Sequence, residues 1–232
     1  MFDKDKIMSN DLIQKLFKWK TSTTIGDTTL YVRVVGDQVI DDARTAALLE
    51  SRKMRKNLRD KNSDAYLLYL DSLNDLEQSE LIDTIVILAS RDVMRDYMQR
   101  TPRPQLDPLP DFPSQEQQEQ HEADKLQRET DYIEAMTTYV ESWRVEYTAS
   151  ISKRTVEELR SLAERYRSDR ICEDLFTREF EDRILAASVY ADAEYKARAF
   201  TYDQYRELPA EVKTVLRNAY NGMNLTSDDL KN

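Results

Sequence analysis

Apolar side chains return every three or four positions through most of the chain, which places them on one face of a helix. This period predicts helices over residues 10–19, 38–59, 65–73 and 75–100, and through most of residues 114–222. Asp203 and Pro209 mark the last helix starts, and Gly222 marks the last stop. The helix at 75–100 has the widest apolar face, so we expect it at the centre of an N-terminal core.

A period of two replaces the helical period only near the N-terminus. Leu30, Val32 and Val34 alternate with Tyr31, Arg33 and Val35. Gly26-Asp27 is a two-residue turn signal between two stretches rich in β-branched residues. The pattern predicts one small β-hairpin. Because an isolated hairpin is marginal in water, we expect it to pack on neighbouring helices or to join a sheet supplied by a partner.

Five of the six prolines fall in residues 101–113, TPRPQLDPLPDFP. Proline cannot donate to a helix or a central strand, so no regular element is expected to cross this stretch. We interpret it as an extended connector between two helical halves; the alternative is a long surface loop inside one domain. The predicted fold is therefore mainly α and has four parts: a hairpin with helices (1–100), a linker (101–113), a helical domain (114–222) and a flexible tail (223–232).

An apolar seam with heptad-like spacing runs along the predicted helix after the prolines. Its members are Leu126, Ile133, Met136, Val140, Trp143 and Tyr147. Such a seam requires another helix against it. That helix is either the next one in the same chain, or a helix of another molecule, through self-association or with a client. We name Ile133, Met136, Val140 and Trp143 as candidate partner-binding residues.

The next helix is predicted to start at a capping box, with Thr155 as the cap and Glu158 as its reciprocal acid. Apolar positions from Leu159 through Ile184 and Ala191 continue the helical spacing. We therefore expect helix to continue toward Phe200.

The net charge of the chain limits the classes of partner that it is expected to bind. Its formal net charge is -10, and residues 114–232 carry 25 acidic and 17 basic side chains. Phosphate contacts need a basic surface, so we expect so acidic a domain to be a poor general binder of nucleic acid. The sequence contains no apolar run of the ~18 residues that a membrane span needs, and its first residues lack an apolar signal core. We expect a soluble, cytoplasmic protein with no membrane contact.

Catalytic signatures are absent from the sequence. The single histidine, His121, and the single cysteine, Cys172, are too few to form a zinc site of histidine and cysteine ligands. The glycine-rich phosphate-binding motifs GxGxxG and GxxxxGK followed by Ser or Thr do not occur in the sequence. Carboxylates at helical spacing, such as Glu179 and Asp182, arise by chance among 44 acidic residues. We therefore expect no enzyme activity, no metal and no cofactor.

Basic residues follow one side of the predicted helix at 38–59. Arg52, Arg55, Lys56 and Arg59 have the spacing i, i+3, i+4 and i+7. This basic stripe is either a solvated face partly neutralised by the chain's own acids, or a contact for an acidic protein surface or for phosphates. We name its four residues as further candidate partner-binding residues.

Two stretches carry a family resemblance. The hairpin entry KTSTTIGDTTLYVRVVGDQVIDDAR and the C-terminal TYDQYRELPAEVKTVLRNAY resemble bacteriophage tail assembly chaperones and related virion assembly proteins. The resemblance implies a non-enzymatic protein of the host cytoplasm that binds a long helical tape measure protein, or a tail tube protein, through apolar helix faces. Two alternatives remain open: a connector or tail subunit of the virion, and a regulator that binds nucleic acid or a nucleic-acid enzyme through the basic stripe.

Overall fold

The computed structural model describes residues 20–106 and 114–223. The predicted helix at 10–19 lies outside the described residues, as do residues 107–113 and the predicted tail beyond Met223. In chain order the described elements are β1 (Lys20–Ile25), β2 (Thr28–Arg33), α1 (Asp37–Arg59), α2 (Asp64–Tyr69), a 3₁₀ helix (Asp71–Asp75), α3 (Gln78–Arg100), α4 (Gln115–Ile151), α5 (Val156–Ser188), β3 (Val189–Tyr190), α6 (Tyr202–Arg206) and α7 (Ala210–Asn221). The predicted class, mainly α with an N-terminal hairpin, is confirmed.

Two compact units divide the chain. The two-part unit contains residues up to Met54 and residues from Cys172 onward, and the continuous unit contains Arg55–Ile171. The chain passes from one unit to the other inside α1 and again inside α5. This division follows contacts between distant parts of the chain, whereas the partition predicted from the sequence follows chain order.

A three-stranded antiparallel sheet, ordered β1-β2-β3, belongs to the two-part unit. In the hairpin Lys20 pairs with Arg33, and Ile25 pairs with Thr28 across the predicted turn. Gly26 adopts φ +60°, a left-handed conformation that residues with a Cβ rarely occupy. The positive φ at Gly26 therefore explains why the predicted turn has glycine at this position.

The third strand corrects the expectation that helix continues toward Phe200. Helix α5 ends at Ser188, and Val189 and Tyr190 then pair with Val32 and Tyr31 of β2. The free edge of β2 offers hydrogen bonds that helix propensity alone does not anticipate. The sheet that the hairpin joins is thus completed within the same chain.

The core of the two-part unit joins residues from both ends of the chain. Its buried members are Leu30, Val32, Leu185, Ala186, Val189, Tyr205, Leu216 and Met223. A second cluster of Val35, Ala43 and Ile184 lies where the chain passes from β2 into α1. The hairpin packs on helices and strand from the C-terminal third, because its own apolar face is too small to be stable alone.

The continuous unit is helical, and its helices start where the sequence supplies caps. Thr155 and Glu158 form the predicted capping box of α5, and Ser114 forms another with Gln117 at the start of α4. On α3, Leu81, Ile85, Val86 and Ala89 are buried. The predicted apolar face of α3 is therefore part of the core of this unit.

Helices α3 and α4, which the proline-rich stretch connects, both belong to the continuous unit. The Tyr132 hydroxyl of α4 donates to the carbonyl of Thr101 at 2.9 Å. Arg128 Nη1 donates to the carbonyl of Gln105 at 3.0 Å. The first residues of the stretch are thus bonded to α4.

Candidate interaction surfaces

The C-terminal half of the predicted seam on α4 packs inside the continuous unit. Val140 is buried, and Met136, Trp143 and Tyr147 are half-buried. The rings of Trp143 and Tyr147 stack with centroids 4.8 Å apart, and the hydroxyls of Tyr147 and Tyr166 lie 3.1 Å apart. Burial and this hydrogen bond raise the pKa of Tyr147 to about 12. This part of the seam contacts α5 of the same chain.

Ile133 does not share that environment, because 55 % of it is exposed. The buried residue at this level of α4 is its neighbour Tyr132. Its ring lies 5.8 Å from that of Tyr97 on α3, and the ring of Tyr97 lies 5.2 Å from that of Tyr139. Sequence reasoning missed Tyr132, although Tyr132, Met136 and Val140 follow one another at four-residue spacing, which was a usable signal.

The N-terminal turns of α4 and its cap, residues 114–134, form what we call the acidic arm. They contain seven acidic and two basic residues, a formal charge of -5. Leu126 and Ile133, seven positions apart and so on the same side of the helix, are 68 % and 55 % exposed. The stripe that is internal at Val140 thus continues as exposed apolar side chains along a strongly acidic helix.

The basic stripe is partly neutralised from within the chain. Arg55 forms an ion pair with Asp169 of α5. Arg52, Lys56 and Arg59 are exposed. Arg52 belongs to the two-part unit and the other three residues to the continuous unit.

A buried carboxylate lies in the two-part unit beside a cavity of ≈ 450 Å³. The carboxylate of Glu179 accepts a hydrogen bond from the Tyr202 hydroxyl and another from Arg183 Nη2, at 3.4 Å. The Arg183 guanidinium also lies 3.9 Å from the centroid of the Tyr202 ring. Burial and the bond to Glu179 raise the pKa of Tyr202.

Arg183 and Tyr202 line this cavity together with mainly apolar side chains. Among the described residues, both hydrogen bonds to Glu179 come from side chains of the same unit, so the geometry indicates a structural role for the carboxylate. In the part of the chain that the structure describes, no group of three or more His, Cys, Asp or Glu side chains is placed to hold a metal ion.

Of the helices within residues 20–106 and 114–223, none is long and apolar enough to cross a membrane. Comparison with family models, with curated proteins and with solved structures finds no match to this chain.

Proposed function

We propose that this chain is a non-enzymatic assembly or chaperone protein that binds a helical client along the acidic arm. The observation that carries the proposal is the continuity of the α4 stripe. Val140 is covered by the chain's own helices, whereas Leu126 and Ile133 on the same helix are exposed. An amphipathic client helix can extend that packing by placing its apolar residues against the exposed positions.

The charge of the arm indicates the chemistry of the client. With a formal charge of -5 over 21 residues, the arm attracts a helix whose apolar stripe is flanked by lysine or arginine. Two copies of the arm repel each other when laid side by side. The charge therefore favours a basic partner over self-association through this surface.

The resemblance of the hairpin entry and of the C-terminal stretch to phage tail assembly chaperones supports the same proposal. Such a protein covers the apolar helix of a tape measure protein until tail tube subunits assemble around it. The acidic surface would keep that complex in solution. Binding in this mode needs helix faces and charge, and it needs no catalytic group.

A defined probe tests the proposal. A synthetic helical peptide with leucine at every third or fourth position and lysine on its flanks is titrated with the protein, and fluorescence anisotropy is recorded at low and at high salt. We expect the double variant Leu126→Glu, Ile133→Glu to bind about tenfold or more weakly than the wild type.

Val145→Glu is the matched control. Val145 is 71 % exposed on the same helix, but it lies about 120° around the axis from Ile133. It should change binding by less than about twofold. Unchanged or tighter binding by the double variant would leave only non-specific charge attraction, and equal losses in both variants would show no preference for this side of the helix; either result would refute the proposed surface. A discrete ring of the wild-type protein, with no peptide binding, would instead support a virion subunit.

A further inference from the structure

A second cavity, of ≈ 290 Å³, lies wholly within the continuous unit. The last turns of α1, the loop at Lys61, helix α2 and one face of α5 surround it. Leu58, Tyr66 and Leu70 are its buried apolar residues. The cavity therefore has an apolar floor.

The wall of this cavity is cationic in a chain that is acidic overall. Arg55, Arg59, Lys61 and Arg165 line it, against the two carboxylates Glu164 and Asp169. The wall thus has an excess of two positive charges. Local fields of this kind concentrate small anions.

Both carboxylates already have partners. Asp169 is paired with Arg55, and Glu164 Oε1 accepts the Tyr66 hydroxyl at 2.9 Å. Burial, followed by this hydrogen bond, raises the pKa of Tyr66, so Tyr66 remains a donor to Glu164. Neither acid depends on the remaining three cations for its bonding.

Arg59, Lys61 and Arg165 contrast with them, since no ion pair among the described residues involves any of the three. Lys61 Nζ lies 6.0 Å from the centroid of the Tyr66 ring, and the guanidinium of Arg165 lies 5.5 Å from that of Tyr166. Arg59 stands in the last turn of α1, where a cation also offsets the partial negative charge of the helix end. This role at the helix end accounts for part of the Arg59 charge. It does not involve the charges of Lys61 and Arg165.

We propose that this cavity binds a small phosphoryl anion. Guanidinium groups pair with phosphoryl oxygens through two parallel hydrogen bonds, and a lysine adds a point charge. The hydroxyls of Ser161 and Ser168 on the same wall can donate further hydrogen bonds. A volume of ≈ 290 Å³, at the lower end of the ligand-pocket range, fits a diphosphate or a small phosphate monoester.

Titration of the full chain with sodium pyrophosphate at low ionic strength tests the inference, by calorimetry and by amide NMR shifts. We expect shifts confined to residues around Arg59, Lys61 and Arg165. The double variant Arg59→Gln, Arg165→Gln should lose affinity about tenfold or more. Asp169→Asn should bind several-fold more tightly, because it removes one negative charge from the wall.

The double variant Lys153→Gln, Arg154→Gln is the control. It makes the same change in net charge, and both positions are exposed in the continuous unit outside the cavity. It should retain affinity within about twofold. Equal losses in the two double variants, shifts spread over the whole surface, or no binding of pyrophosphate would each overturn the proposal. Equal affinity for sulfate would reduce it to general anion attraction.

Discussion

At the scale of single residues, burial decides which polar groups matter for stability. Glu179 is buried and takes hydrogen bonds from Tyr202 and Arg183, whereas Glu181, two positions away, forms an exposed ion pair with Arg217 at 3.5 Å. A buried acceptor leaves its donors without partners when it is removed, whereas an exposed one is replaced by water.

We therefore expect Glu179→Ala to lower the free energy of unfolding by about 3 kcal/mol. Glu181→Ala is the control and should cost less than about 1 kcal/mol. Urea unfolding followed by circular dichroism measures both. Equal costs for the two variants would contradict a special role for the buried carboxylate.

Tyr205 links burial to alkaline stability. Its side chain is fully buried, and burial, with the nearby Asp182 charge, raises its pKa to about 12. The unfolded chain binds this proton with a pKa of about 10, so the folded state favours the neutral phenol. The resulting stabilisation is fully present below about pH 10 and is lost as the pH rises to about 12.

Tyr205→Phe should remove this loss. Between pH 10 and 12 the wild type is expected to lose about 2 kcal/mol more than the variant, since each pKa unit corresponds to ~1.4 kcal/mol. Unfolding curves at successive pH values test this. Tyr69→Phe, at an exposed position, should keep the wild-type profile. Parallel profiles of Tyr205→Phe and the wild type would refute the prediction.

At the scale of elements, the hairpin turn depends on one backbone conformation. Gly26 has φ +60°, and nothing lies within 4 Å of a Cβ added there. The cost of a side chain at this position therefore comes from backbone strain, without a clash. Gly36, in equally open space, lies outside that region of φ.

Gly26→Ala should destabilise the protein by about 1 kcal/mol, because alanine is strained at positive φ. Gly36→Ala should be neutral or slightly stabilising for the opposite reason. Thermal unfolding of both variants gives the comparison. A neutral Gly26→Ala would mean that the turn tolerates another conformation.

Elements with a strong local signal could be predicted from the sequence, and elements set by distant contacts could not. The turn at Gly26, the capping box at Thr155 and the apolar face of α3 were visible in the sequence, because each depends on neighbouring residues. The strand at Val189–Tyr190 was not, since it exists only through pairing with β2. The seam was predicted with Ile133, whereas the structure buries Tyr132. Helical periodicity does not show that the Thr101 carbonyl accepts a hydrogen bond from the Tyr132 hydroxyl.

At the scale of the whole molecule, the compact units cut across chain order. The continuous unit contains both α3 and α4, whose contacts include the rings of Tyr97, Tyr132 and Tyr139. The partition predicted at residues 101–113 places these two helices in different halves. Fragments distinguish the two divisions.

A fragment of residues 55–171 should be helical and should unfold cooperatively, because it retains the core of the continuous unit. A fragment of residues 1–100 should unfold without a sharp transition, since it lacks α4 and most of the core of the two-part unit. Circular dichroism during urea titration reports both. Cooperative unfolding of 1–100 and of 114–222, together with failure of 55–171, would support the partition at the prolines.

The two-part unit also sets an order of events on the ribosome. The hairpin is synthesised first, but Val189 and Tyr190, which pair with β2, follow only after the whole continuous unit. At about 5–20 residues per second the nascent chain carries the edge of β2 unpaired for roughly ten to thirty seconds. An unpaired edge can pair with another nascent chain. The continuous unit is therefore complete first, and slower translation prolongs the time in which the hairpin is open to aggregation.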